Sequence, residues 1–164
     1  MATQPVPGED PVIGERHVVL VHPEVHWNTG NIGRTCLGAG ARLHLIEPLG
    51  FRLDDRHVRR AGLDYWPRVD LWVWKDFATF EAALAPAAAE MALFSKVGER
   101  LFWDMPRPGR LFLVFGSESR GLPPALFERY RDRSFRIPIG NRIRSLNLST
   151  AAAIALYESL RGPY

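Results

Sequence analysis

"FRIPIGNRIRSLNLSTAAAIALYE", from Phe135 to Glu158, moves from a short strand through a polar loop into an almost wholly apolar helix. Ser145, Asn147 and Ser149 are types that satisfy the free amides of a helix start, and one of them suffices for that task. Three such residues, interleaved with Leu146 and Leu148 and preceded by Arg142 and Arg144, imply a loop folded around something. The helix behind the loop is apolar nearly all round until Glu158, so it is buried on several sides, within the domain or against a second subunit.

Upstream, β-branched and apolar runs alternate with helical patterns. "HVVLV" (17–21), "RLHLIEP" (42–48), "VDLWVW" (69–74), "MALFS" (91–95), "LFLVFG" (111–116) and "SFRIPIG" (134–140) read as strands. "NTGNIGRTCLGAG" (28–40) reads as a helix capped by Asn28 and ended by Gly38 or Gly40. "LDDRHVRRAG" (53–62) reads as a short polar helix. "DFATFEAALAPAAAEM" (76–91) is a helix weakened near Pro86, and "PPALFERY" (123–130) starts with prolines that a first turn tolerates. This order predicts an α/β fold, a mostly parallel sheet with helices on both faces, whose ligands bind beyond the carboxyl ends of the strands.

With 164 residues, 46% hydrophobic and 24% charged, the chain suits one globular domain spanning 16–164. Residues 1–15, with three prolines, two glycines and three acids, read as a mobile tail. No apolar run is long enough to span a bilayer and no signal-peptide pattern opens the chain. A single cysteine, Cys36, excludes an intramolecular disulfide, and on the apolar side of its helix it reads as a small core residue; a reducing, cytoplasmic setting follows. His22 and His26 flank Pro23 in a loop, and no cysteine cluster or HExxH accompanies them, so no metal site is expected. The net charge is +3, and 19 of the 21 basic residues are arginine, whose planar fork suits phosphate and bases; this balance leans toward an anionic partner.

Two more segments carry chemistry. In "VLVHPEVHWNTGNIGRT" (19–35) a strand enters a helix start where Gly30 and Gly33 let a ligand approach closely, amides favour an anion and Arg34 lies about a turn inside. "LVFGSESRGLP" (113–123) is a strand, a glycine, a polar turn in which Glu118 and Arg120 can pair, and a second glycine. It lacks both the phosphate-loop lysine and GxGxxG, so neither ATP nor a dinucleotide is indicated.

Together "NTGNIGRTC" (28–36), "FGSESRGLP" (115–123) and "RIPIGNRIRSLNLSTAAAIALYE" (136–158) resemble the SPOUT superfamily of RNA methyltransferases. They are most similar to its small single-domain members that methylate the 2'-oxygen of the tRNA wobble ribose. "LIEPLGF" and "RRAGLDYW" share the likeness, which covers about Val18 to Arg161; "GERLFWDMPRPGR" matches no pattern. The resemblance implies a C-terminal trefoil knot and S-adenosylmethionine as methyl donor. It places donor contacts at Leu93, Gly116, Ile137, Ser145 and Leu146, and a homodimer packed through the knot. It puts Arg34 beside the reacting ribose, as activator or as stabiliser of the emerging alkoxide, with Asn28, Glu118 and Asn147 as orienting partners. Arg59, Arg60, Arg142 and Arg144 are the expected RNA contacts, and no metal is required. Two other readings are open: methylation of another tRNA or rRNA position, and a catalytically silent RNA-binding module.

Overall fold

A computed structural model describes residues 14–54 and 64–162. Among the described residues seven strands form one all-parallel sheet: β1 (Glu15–Val21), β2 (Arg42–Ile46), β3 (Leu71–Trp74), β4 (Met91–Phe94), β5 (Arg100–Leu101), β6 (Arg110–Phe115) and β7 (Ser134–Arg136). Their order is β3-β2-β1-β6-β4-β7-β5. The helices are α1 (His26–Ala39), α2 (Phe77–Leu84), α3 (Pro124–Arg129) and α4 (Leu148–Leu160). Successive strands are added on one side of β1 up to β3 and on the other side from β4 on, so the loops after β1 and β6 diverge at the centre of the sheet.

Alternation along the strands makes two cores. Val18, Leu20, Leu111, Leu113, Phe115, Ala92 and Phe94 face α1 and α4, against Ile32, Cys36, Ala152, Ala155 and Leu156. Val19, Val21, Phe112, Val114, Met91 and Leu93 face the other way, toward Phe80, Leu122 and Tyr130. Both faces are covered, which is why the central strands read as unbroken apolar runs.

The C-terminal segment leaves β7, near one edge, and returns over the centre of the sheet, where α4 packs on α1, β1 and β6. A buried arginine fixes that return. Arg16, only 3% exposed, donates from Nε (3.3 Å) and Nη2 (3.0 Å) to the carbonyl of Ser159, and from Nη1 to that of Pro108 (2.9 Å). A cation at a helix C-terminus satisfies free carbonyls and opposes the negative end of the dipole.

Several expectations change. Glu15 is the first residue of β1 and pairs with Arg110, so the ordered domain starts before residue 16. The rest of the expected tail (1–13) and most of the expected polar helix (55–62), with Arg59 and Arg60, lie outside the described residues. β5 was not expected; it is two residues long and owes its form to pairing with β7. α2 stops at Leu84, one residue before a left-handed Ala85 (φ 45°) and before Pro86.

The sheet also holds a buried polar chain. Trp74 Nε1 donates to His44 Nδ1 (3.0 Å), which leaves the His44 proton on Nε2, facing His17 Nδ1 at 2.8 Å. His17 Nε2 then donates to Glu15 Oε1 (2.8 Å). Both rings are neutral in this arrangement. Burial pushes His44 down to about 3 and lowers His17 as well, Glu15 opposing the latter. A lowered histidine pKa means that the unfolded chain binds more protons below about pH 6.5. Stability is therefore full above pH 6.5 and falls as pH drops toward 3. Urea unfolding should show a loss on the order of a few kcal/mol between pH 7 and pH 4.5, a window above most carboxylate titration. A double variant, His17→Phe with His44→Leu, should flatten that slope; an unchanged slope would contradict the neutral pair.

Candidate active site

The loops beyond β1, β6 and β7 meet through one carboxylate. Glu118, in the loop after β6, accepts from the backbone N–H of Glu24 (Oε2, 2.7 Å) and of Val25 (Oε1, 3.1 Å). These amides lie just before α1, whose N-cap position is Val25, a residue with no side-chain acceptor. Glu118 thus serves the start of α1 from another segment, where the positive end of the helix dipole favours an anion.

Asn28 extends the chain. Its Nδ2 donates to Glu118 Oε1 (3.3 Å), and its Oδ1 accepts from Asn147 Nδ2 (3.1 Å). Asn147 is the N-cap of α4: its Oδ1 accepts from the amides of Ser149 (2.9 Å) and Thr150 (3.3 Å) and from the Ser149 hydroxyl (2.6 Å). Asn31 Nδ2 reaches the same hydroxyl (3.4 Å). Each amide group is oriented by its neighbours, so the run Glu118–Asn28–Asn147 has one consistent assignment of N and O. Three of the four residues expected at the catalytic centre are therefore joined.

Arg34 stands apart from that chain. It is exposed two turns along α1, with its guanidinium 5.6 Å from the centre of the Tyr65 ring, and makes no ion pair among the described residues. The Tyr65 hydroxyl donates to the Gly30 carbonyl (3.0 Å), so ring and helix hold the arginine together. Trp27, Asn31, Arg34 and Gly38 form one exposed stripe on α1, at the spacing of a helical face.

Other expectations are corrected by the geometry. Asn28 does not cap α1; the helix begins at His26, and the Asn28 side chain is given to Glu118 and Asn147. Glu118 does not pair with Arg120 but with backbone amides. A Cβ on Gly116 would lie 1.9 Å from the Gly121 carbonyl carbon, so this glycine makes room for its own turn. Gly33 likewise admits the Trp66 ring, at 2.6 Å from the Cβ it lacks. The Leu93 side chain is fully buried in the core facing α2, so Leu93 can offer a ligand only its backbone. Ile137 and Leu146 are half-buried, whereas Ser145, Arg142 and Arg144 are exposed on the loop before α4. Ile139 and Ile143 on that loop expose apolar side chains to solvent (37% and 53%).

Two positions escaped sequence reading. Gly98, in the loop after β4, lies where a Cβ would be 2.4 Å from the backbone of Phe135. The Ser119 hydroxyl donates to Glu24 Oε1 (2.6 Å), a second tie between the loops after β6 and β1. A lone glycine and a Glu–Ser pair distant in sequence carry no local signal. Among the described residues no His, Cys, Asp or Glu cluster could hold a metal ion, and no helix is long and apolar enough to cross a membrane.

A parallel sheet that opens between β1 and β6, with the last helix returned over its centre and the loops tied by Glu118, Asn28 and Asn147, agrees with the SPOUT-type fold that the sequence resemblance implies. The model of the SpoU rRNA Methylase family matches residues 15–157, and the chain belongs to that family. It is 49% identical over 147 residues to a tRNA (cytidine(34)-2'-O)-methyltransferase of Burkholderia pseudomallei, covering 88% of this chain and 94% of that one. A solved structure described as "Structural insights into the 2-OH methylation of C/U34 on tRNA" superposes with a TM-score of 0.81 at 41% identity, over 89% of this chain and 94% of the other. An AdoMet-bound rRNA methyltransferase from Sinorhizobium meliloti gives 0.79 at 25% identity, over 96% of this chain and 60% of that one.

If Glu118 holds the entry to α1, Glu118→Ala should lower unfolding stability by about 2 kcal/mol, since it strands two amides and the Asn28 side chain. Glu118→Gln keeps one acceptor oxygen and should lose less. Equal urea midpoints for wild type and Glu118→Ala would contradict that role.

Proposed function

We propose that this protein transfers a methyl group from S-adenosylmethionine to the ribose 2'-oxygen of tRNA nucleotide 34, a cytidine or modified uridine. The observation that carries the reading is the hydrogen-bonded run Glu118–Asn28–Asn147, which unites the three segments that mark the family, in a chain whose relatives of like length act on that position. A ribosomal substrate is less well supported: the rRNA methyltransferase noted above is 25% identical, and 60% of its length is covered.

The donor supplies an electrophilic methyl on a sulfonium, and the loops after β4, β6 and β7 are its proposed seat. The residues there fit. Half-buried Ile137 and Leu146 and exposed Ile139 offer apolar cover for an adenine ring, and Ser145 offers a hydroxyl. Gly116 and Leu93 act there through backbone, Gly116 by allowing the tight turn. The region is read as the trefoil-knotted crossing of the superfamily. Donor and acceptor must be held in line, and a dry site favours a step that neutralises charge. Asn28, Glu118 and Asn147 set the positions of the loops. Arg34, too basic to lose a proton readily, orients the ribose and stabilises the developing alkoxide. Arg142 and Arg144, with Arg59 and Arg60 outside the described residues, supply phosphate contacts. No metal is assigned a role.

A homodimer completes the proposal. Ala155, on the inward side of α4, is already buried in its own domain, so a charge there would disrupt the fold rather than report on assembly. The outward stripe is Thr150, Ile154, Tyr157 and Arg161, with Ile154 and Tyr157 37% and 54% exposed beside α1. That is the face proposed to meet a second copy. The tRNA substrate makes the cytoplasm the expected location.

The direct test is transfer of labelled methyl from S-adenosylmethionine to total tRNA, with the modified nucleotide mapped; label elsewhere than the ribose of nucleotide 34 would overturn the assignment. In single-turnover assays Arg34→Ala should lower the rate roughly a hundredfold while sparing donor affinity, and Arg34→Lys should not restore it, because a point charge lacks the planar fork. Ile154→Glu with Tyr157→Arg should sediment as a folded monomer. A variant that stays dimeric would remove this face from the interface.

A further inference from the structure

A cleft of about 550 Å³ lies between the loops after β1, β2 and β6: Ser117 and Ser119 line it, and the Glu118 carboxylate between them accepts from the Glu24 and Val25 amides. Its other walls include His22, Glu24, Leu49, Arg120, Leu122 and Pro123. The walls are tied to each other, Ser119 Oγ to Glu24 Oε1 at 2.6 Å and Gly50 N to the Pro23 carbonyl at 2.9 Å.

His22 is the unusual member. It is held at φ 57°, a left-handed backbone that a non-glycine residue seldom adopts. Its Nδ1 is shut off from solvent and has no hydrogen-bond partner among the described residues. A strained backbone and an unsatisfied buried nitrogen are both unfavourable in a resting fold, and both recur where a site awaits a ligand. Glu24 is held ionised, its pKa lowered chiefly by the Ser119 hydrogen bond, and Arg120 is exposed with no ion pair among the described residues. The cleft therefore offers a carboxylate acceptor, a guanidinium donor and an imidazole between apolar walls.

That chemistry separates two occupants. A phosphate would meet the Glu24 carboxylate and be repelled. A pyrimidine base has an N–H donor for a carboxylate (the 4-amino group of cytosine, N3–H of uracil), a carbonyl acceptor for a guanidinium, and flat faces for Leu49, Leu122 and Pro123. Resting on the reading of the chain as a wobble-ribose methyltransferase, we propose that this cleft receives the unstacked base of the target nucleotide, with His22, Glu24 and Arg120 as the groups that recognise it.

The test uses two anticodon stem-loop RNAs, one intact with cytidine at position 34 and one abasic there with its ribose retained. Single-turnover methylation with saturating donor gives the half-saturating concentration of each. His22→Ala and Arg120→Ala should each raise this value about tenfold for the intact RNA, the worth of one lost hydrogen bond in a shielded site, and less than about twofold for the abasic RNA. Donor affinity by calorimetry should not change. Arg120 is exposed, so its variant keeps the test valid if His22→Ala does not fold. Equal effects on the two RNAs, or none, would overturn the proposal. Binding anisotropy with the same RNAs needs no turnover. Failure of the wild type to methylate nucleotide 34 would thus sink the substrate reading, while the intact-against-abasic comparison still decides the cleft.

Discussion

The Glu118 carboxylate is the constraint on which the arrangement of the site depends. It receives two backbone amides and one side-chain amide from a segment 90 to 94 residues earlier in the chain. Val25, the N-cap of α1, has no side-chain acceptor, and the two residues that lead into the helix are held by the loop after β6. Asn28 carries the same constraint to Asn147, which fixes the start of α4. A loop after β1, a loop after β6 and a helix that follows β7 are thereby set against one another by polar groups with almost no freedom left. Such mutual orientation is what a methyl transfer needs from its protein, since most of the rate must come from placement.

The far end of α4 is held as firmly. Arg16 at the start of β1 binds the Ser159 carbonyl, so the helix is fixed at Asn147 by one cap and at Ser159 by another. Between the caps, Ala152 and Ala155, whose small side chains permit close approach, pack with Leu156 into the core. Ile154 and Tyr157 remain on the outside. The apolar helix read from sequence thus divides its surface, one part within the domain and one part available to a second copy.

Much of the fold was legible because its signals are local. The unbroken apolar runs of β1, β4 and β6 mark strands buried on both faces, and Gly40 at φ 69° ends α1 as a glycine there should. What was not legible depends on distant partners. Asn28 has the right type and position for a cap, and only the presence of Glu118 and Asn147 decides that its side chain goes elsewhere. Gly33 and Gly116 read as openings for a ligand, yet the space each leaves is filled by Trp66 and by the 121–122 backbone. β5, with two residues, has no periodicity to detect. The three family segments pointed to Asn28, Glu118 and Asn147, which the fold brings together, without revealing that Arg34 stands off from them.

The most direct measurement of the central constraint is amide hydrogen exchange, read by mass spectrometry, on wild type and Glu118→Gln. If one carboxylate ties the loops, the variant should exchange faster not only around residues 116–121 but also at 24–31 and at 147–151, the far end of the Asn28–Asn147 link. Faster exchange confined to 116–121, with the other two segments unchanged, would contradict the account.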